Sequence, residues 1–243
     1  MADFTQLDDL QGVLFDLDGT LVDVDMYVFI PAYLRRLSDF FGDLIDARRF
    51  RREMLAATTT MLQSKKRCAS NEEMLLSLLS RRLGIGQGQF QERLQQFIND
   101  GLDSLRPLVQ SLPLAHSILQ RCVDRGLRLV LATNPVFPLQ IVEARLRWGG
   151  LADLPFELVT SYENSRYCKP DRRYFEDVLD FLQIPAETCL MVGNDTDHDL
   201  AARQVGISTF LVDTCLVNRG DSPFEADWQG NHGDLLRFLS VSG

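Results

Sequence analysis

Residues 11–20 read Gln11-Gly12-Val13-Leu14-Phe15-Asp16-Leu17-Asp18-Gly19-Thr20. The first part, 11–17, is a short apolar run that ends in acidic residues, the pattern of a buried strand. The second part places two carboxylates two residues apart, so both can point to the same side of an extended chain. Gly19 lets the backbone turn there and present N–H groups to an anion. One carboxylate can attack an electrophile while the other moves protons, and their mutual repulsion calls for a cation nearby. The same residues also suit a loop with an Asx-turn and solvated acids, so the surroundings must decide.

Further along lie four comparable apolar runs, 127–133, 156–160, 188–192 and 207–212. Their continuity suits a parallel sheet covered on both faces. Helical patterns fall between them at 114–125, 136–148, 171–182 and 197–205, with Gly126, Gly149-Gly150 and Gly206 at their ends and Pro170 just before the third. Strands alternating with helices predict an α/β fold, a doubly wound, mostly parallel, Rossmann-like sheet. The alternation stops between residues 24 and 106, where only helices are legible: roughly 26–41, 46–63, 71–83 and 88–100. Ser70-Asn71-Glu72-Glu73 has the form of a capping box for the third. A connection of that length is far beyond an ordinary crossover. The expected organisation is therefore a core of 1–22 and 107–243 with an inserted helical domain over 23–106. Charge divides the same way: residues 24–110 carry 13 basic and 10 acidic side chains, the remainder 12 and 24.

Three more signals stand at strand ends or helix starts, where ligands of open α/β sheets bind. Thr133-Asn134 offers a hydroxyl and amides that could hold a phosphate oxygen. Lys169-Pro170 places a cation before a helix; an exposed lysine there would be merely solvated. Gly193-Asn194-Asp195-Thr196-Asp197-His198-Asp199 has three acids in five residues, suited either to a hard cation such as Mg²⁺ or to capping a helix N-terminus. Lys169 is the one lysine outside Lys65-Lys66 in a chain with 22 arginines.

In this order, D16-x-D18-G-T, Thr133, Lys169 and G-N-D195-x-x-x-D199, the chain resembles the haloacid dehalogenase-like (HAD) hydrolase superfamily. The stretches CKPDRRYFEDVL and PAETCLMVGNDTDHDLAARQVGI look most like its phosphatases. The 23–106 segment sits where many members carry a helical cap. The resemblance implies Asp16 as nucleophile, forming an aspartyl-phosphate, and Asp18 as general acid and then base. It implies Thr133, Asn134 and Lys169 as the substrate-binding group. It also implies Mg²⁺ held by Asp16, the carbonyl of Asp18, and Asp195, while Asp199 either binds through water or orients Lys169. An acid at position 18 disfavours the dehalogenase branch, which has D-x-Y-G-T. The implied function is Mg²⁺-dependent hydrolysis of a small phosphorylated metabolite. The alternatives are a phosphomutase on the same scaffold or a catalytically silent phospho-ligand-binding protein.

Net charge of −9 and a pI near 4.8 argue against a nucleic-acid partner. Apolar runs are too short to span a bilayer, and residues 1–10, with three acids, do not read as a secretory signal. Five cysteines without CxxC spacing argue against a zinc site or a disulfide framework. A cytoplasmic enzyme without a membrane partner is the expectation, and its oligomeric state is left open.

Overall fold

The computed structural model describes residues 9–64, 69–220 and 223–240; Lys65, Lys66 and Cys68 lie outside the described residues. Strand β1 (Gly12–Phe15) is followed by β2 (Val22–Asp23), then by helices α1 (Met26–Asp39), α2 (Ala47–Gln63), α3 (Asn71–Leu83) and α4 (Gln87–Asp100). A 3₁₀ stretch over Leu102–Leu108 leads to β3 (Gln110–Ser111). From there helices and strands alternate: α5 (Ala115–Asp124), β4 (Arg128–Leu131), α6 (Leu139–Trp148), β5 (Phe156–Val159), α7 (Arg172–Leu182) and β6 (Cys189–Gly193). A 3₁₀ helix (Leu200–Val205), β7 (Ser208–Val212), β8 (Trp228–Gly230) and α8 (His232–Ser240) complete the chain.

Six strands form one parallel sheet in the order β5-β4-β1-β6-β7-β8. The chain winds outward from β1 through β4 to β5, then returns to β1's other side and winds outward again. This is the doubly wound architecture expected, and the reversal places a crevice at the carboxyl end of β1. Alternation along each strand sends side chains to opposite faces. Val13, Phe15, Leu129, Leu131, Leu190 and Val192 belong to one buried cluster with helices α5, α6 and α8; Leu14, Val130 and Met191 pack with Tyr174, Phe175 and Val178 of α7 on the other side.

Helices α1–α4 pack among themselves and join the first cluster. Phe29, Phe41, Phe50, Phe90 and Phe97 lie in the same apolar cluster as Phe15 and Val13, so one hydrophobic interior runs from the helical segment into the sheet. The Ser70 capping box forms: Ser70 Oγ accepts from Glu73 N–H at 3.2 Å, and Glu73 Oε2 accepts from Ser70 N–H at 3.0 Å. The chain leaves and re-enters through a two-stranded antiparallel ribbon, Val22 opposite Ser111 and Asp23 opposite Gln110. The α3 N-terminus docks on core loops, with Asn71 N–H donating to Ser165 O at 2.9 Å and Glu72 N–H to Tyr162 O at 2.8 Å.

Three readings need correction. The helix expected from 136 begins at Leu139, because Pro138 disfavours helical backbone at the residue before it and serves itself as the N-cap. The helix expected over 197–205 is a 3₁₀ helix from Leu200. Asp195 and Asp199 take the preceding backbone N–H groups on their side chains, which competes with helix formation. Strand β8 and helix α8 were not anticipated; three residues of strand carry too little periodicity to read. Among the described residues no helix is long and apolar enough to cross a membrane.

Phe50 has no exposure and stacks on Phe41 at 4.5 Å between ring centroids. We expect Phe50→Ala to cost about 3–5 kcal/mol in urea unfolding. A loss below about 1 kcal/mol would show that α2 adds little to the shared core.

Candidate active site

Register brings the sequence motifs together. Phe15 of β1 pairs with Leu131 of β4 and Val192 of β6. The ladder runs one step further, with Ala132 N–H on Phe15 O at 2.7 Å and Asp16 N–H on Val192 O at 2.9 Å. Asp16, Thr133 and the Gly193–Asp195 segment therefore meet at the carboxyl end of three adjacent strands.

Gly19 has φ +84°, and a Cβ there would stand 2.2 Å from Asn194 Nδ2. Glycine is thus required twice, for its conformation and for its lack of bulk. The turn is tied down from outside: Thr20 Oγ1 donates to Asn194 Oδ1 at 3.2 Å, and Asn194 Nδ2 donates to Cys215 O at 2.6 Å. His232, one of three scattered histidines in the sequence, bonds through Nε2 to Thr20 O at 2.8 Å and through Nδ1 to Thr214 Oγ1 at 3.0 Å.

Lys169 is 3% exposed, so it is not a solvated surface lysine. Its Nζ donates to Asp16 Oδ1 at 2.9 Å and Asp199 Oδ1 at 2.6 Å. Burial pulls the ammonium's pKa down, but the two carboxylates outweigh it and hold it above the ordinary lysine range. Two anions share one cation, so the excess falls on the acids. Burial, with Asp199 adding to it, pushes Asp16 up to about 6 against the restraint of Lys169. Burial likewise raises Asp199. The other oxygen of Asp199 accepts from Asp195 N–H at 2.9 Å, so its carboxylate is fixed at both ends.

Thr133 is buried, and its carbonyl accepts from Thr160 Oγ1 at 2.7 Å and Tyr174 Oη at 3.0 Å, fixing the loop. Asn134 Nδ2 reaches Lys169 O at 3.5 Å, and its Oδ1 is buried without a hydrogen-bond partner among the described residues. Asn134 therefore links the Thr133 and Lys169 loops. The Lys169–Pro170 peptide is cis. Asp195 Oδ1 accepts from Asp197 N–H at 3.1 Å and His198 N–H at 3.0 Å, and Oδ2 accepts from Arg219 Nε at 2.6 Å. Asp197 is exposed and lies outside this group.

Asp18 has a partner that sequence reading missed. Arg145 Nη1 donates to its Oδ1 at 2.7 Å and Oδ2 at 2.6 Å. Burial raises the Asp18 pKa, and Arg145 opposes that rise. A signal was available: Ile141 and Arg145 are four apart on the apolar face of α6, so a charge there had to be buried. Arg219 and His232 gave no such signal, since their partners are 24 and 212 residues away.

A family model described as haloacid dehalogenase-like hydrolase matches residues 10–206. Among curated relatives, the pyrophosphatase PpaX of Bacillus cereus (strain Q1) is 26% identical over 237 residues, covering 95% of this chain and 97% of its own. A HAD phosphatase structure from Thermococcus onnurineus superposes with TM-score 0.60 at 20% identity, over 95% of this chain and 98% of that one. A structure titled as a predicted phosphoglycolate phosphatase from Haemophilus somnus 129PT gives 0.58 at 17% identity, over 96% and 99%. At these identities the two structures speak for the fold.

The charge balance around Lys169 has a stability signature. Asp199→Ala removes a buried partner and leaves Asp195 N–H without its acceptor, and is expected to cost about 3 kcal/mol. Asp16→Asn keeps the shape and removes one of two competing anions, so stability should be unchanged or higher. Urea unfolding compares them, and a larger loss in Asp16→Asn than in Asp199→Ala would refute this account.

Proposed function

The chain belongs to the haloacid dehalogenase-like hydrolase family, and on that premise we propose that it is a Mg²⁺-dependent phosphomonoester hydrolase acting on a small phosphorylated metabolite. The observation that carries the reading is the convergence of Asp16, Asp18 and a buried Lys169 at the switch point of the sheet. A nucleophile, a proton carrier and a fixed cation for the transferring group are what phosphoryl transfer requires of a protein. The similarity to a protein named pyrophosphatase supports chemistry at phosphorus.

Asp16 attacks phosphorus through a carboxylate oxygen, and the bond to the leaving oxygen breaks as that oxygen takes the proton of Asp18. A water then gives its proton to the Asp18 carboxylate and attacks the aspartyl-phosphate. The bond to Asp16 breaks and inorganic phosphate leaves. Lys169 and the N–H and hydroxyl groups of Thr133-Asn134 hold the phosphoryl oxygens. Helices α1–α4 act as the cap that covers the crevice and excludes water.

The residues present suit Mg²⁺ by donor type: carboxylate oxygens of Asp16 and Asp195 and the main-chain carbonyl of Asp18 are all hard oxygens. Among the described residues no three acidic, histidine or cysteine side chains form a metal-sized cluster. The set therefore relies on that carbonyl, and Arg219 must yield at Asp195. Bound there, Mg²⁺ would neutralise charge on the phosphoryl oxygens. We place the enzyme in the cytosol, in keeping with free thiols at Cys122, Cys189 and Cys215.

Purified protein with Mg²⁺ should hydrolyse p-nitrophenyl phosphate over many turnovers with release of free phosphate. EDTA should abolish the rate, and added Mg²⁺ should restore it. Asp16→Asn should be folded and inactive. Lys169→Arg should lose at least tenfold, because a planar guanidinium does not fit a point-charge site between two carboxylates. A parent inactive across a panel of phosphorylated metabolites would instead favour the silent binding protein. Phosphoryl return to substrate without free phosphate would favour the mutase.

A further inference from the structure

Arg145 is buried without exposure, yet it uses only one of its three nitrogens for hydrogen bonding. Nε and Nη2 are buried and have no hydrogen-bond partner among the described residues. Leaving buried donors unmade is costly, and an apolar residue on this face of α6 would fold more cheaply. What surrounds the guanidinium instead is aromatic. Its central carbon lies 4.7 Å from the ring centroid of Phe137 and 5.6 Å from that of Phe29, within reach of the attraction between a cation and a ring face. Phe29 belongs to α1, and Tyr33, one turn further along, meets Phe137 edge-on at 5.3 Å. Four parts of the molecule thus meet at this side chain: the Asp18 loop, α6, the loop after β4, and the first helix of the inserted segment.

We propose that Arg145 is a positioning residue for the reaction: it fixes the direction of the Asp18 carboxylate, and Phe29 of helix α1 fixes Arg145. The inference rests on the phosphatase reading above. Nη1 touches both carboxylate oxygens, so the group cannot turn about its Cβ–Cγ bond without breaking a contact. The Asp18 side chain keeps 15% exposure while that of Arg145 has none; the clamp is buried and leaves part of the carboxylate accessible. A flat guanidinium can rest against both rings of this edge-on pair and still reach forward; an ammonium cannot. Because one of the rings is carried by α1, the proton carrier is aligned only when the helical segment is seated on the sheet. Closure and proton transfer are coupled through a single side chain.

The test uses a series of aryl phosphates of similar shape and differing leaving-group basicity, with the full-length protein and Mg²⁺. A nitrophenolate leaves without a proton, whereas a phenolate benefits from one. If Arg145 aims Asp18, Arg145→Met should lower kcat/KM for phenyl phosphate about tenfold or more. For p-nitrophenyl phosphate the loss should stay within about threefold, so the dependence on leaving-group basicity steepens. Arg145→Lys should not restore the parent slope. Phe29→Leu, which leaves every charged group in place, should steepen it in the same direction by a smaller amount. In an Asp18→Asn background, Arg145→Met should change the residual rate less than twofold, since there is no acid left to aim. Equal losses across the series, or full additivity with Asp18→Asn, would overturn the proposal while leaving the phosphatase reading intact. A parent inactive on every aryl phosphate would overturn that reading and this one with it. Should Arg145→Met fail to fold, Phe29→Leu carries the same comparison, and an unchanged slope in it would overturn the coupling to α1.

Discussion

A single ammonium stands between two buried carboxylates, and the arrangement of the crevice follows from it. Lys169 has to reach Asp16 at the end of β1 and Asp199 beyond β6 at once. That is feasible because β1 and β6 are neighbours in register. Asp199 must in turn bend back to the Asp195 amide, which turns the residues before Leu200 away from a regular helix. Asn134 then ties the Lys169 backbone to the loop after β4. The result is a site whose charges do not cancel. Such an imbalance weakens a fold but leaves the Asp16 carboxylate held in place, with its pKa pushed up by burial.

The two buried cations solve different problems. Lys169 is compact and sits between anions; Arg145 is planar and rests against two rings that meet edge-on. The chain is rich in arginine and has three lysines, so the choice of lysine at 169 goes against its own habit, whereas arginine at 145 passes unnoticed in the composition.

That contrast marks what could be read beforehand. The strand-end motifs were legible because their residues are contiguous, and the parallel strands announced themselves through unbroken apolar runs. Gly19, Gly126 and Gly206 adopt the positive φ that their positions implied. The rest of the site was hidden for a physical reason. Arg145 with Asp18, Arg219 with Asp195 and His232 with Thr20 are joined by tertiary packing alone, and no local pattern encodes such partners. Helix boundaries failed where side chains captured backbone groups, as around Asp195, or where Pro138 interrupted the pattern. The single interior shared by the α1–α4 segment and the sheet was equally out of reach, since a charge division along the chain suggested two separate units.

The ribbon of β2 and β3 bears on how such a chain can change through descent. Val22 and Ser111 lie opposite each other, so the stretch between them closes on itself before it reaches the sheet. Closure entropy grows only slowly with the length enclosed, so the length of this stretch matters little to the strand pairing, although its side chains share the core. Lengthening, trimming or exchanging it leaves the register of β1, β4 and β6 as it is. A similar change between β4 and α6 would carry Arg145 away from Asp18. About a third of the chain is therefore open to being rewritten, on the condition that whatever replaces it keeps the contacts to the core and brings a ring to the place of Phe29.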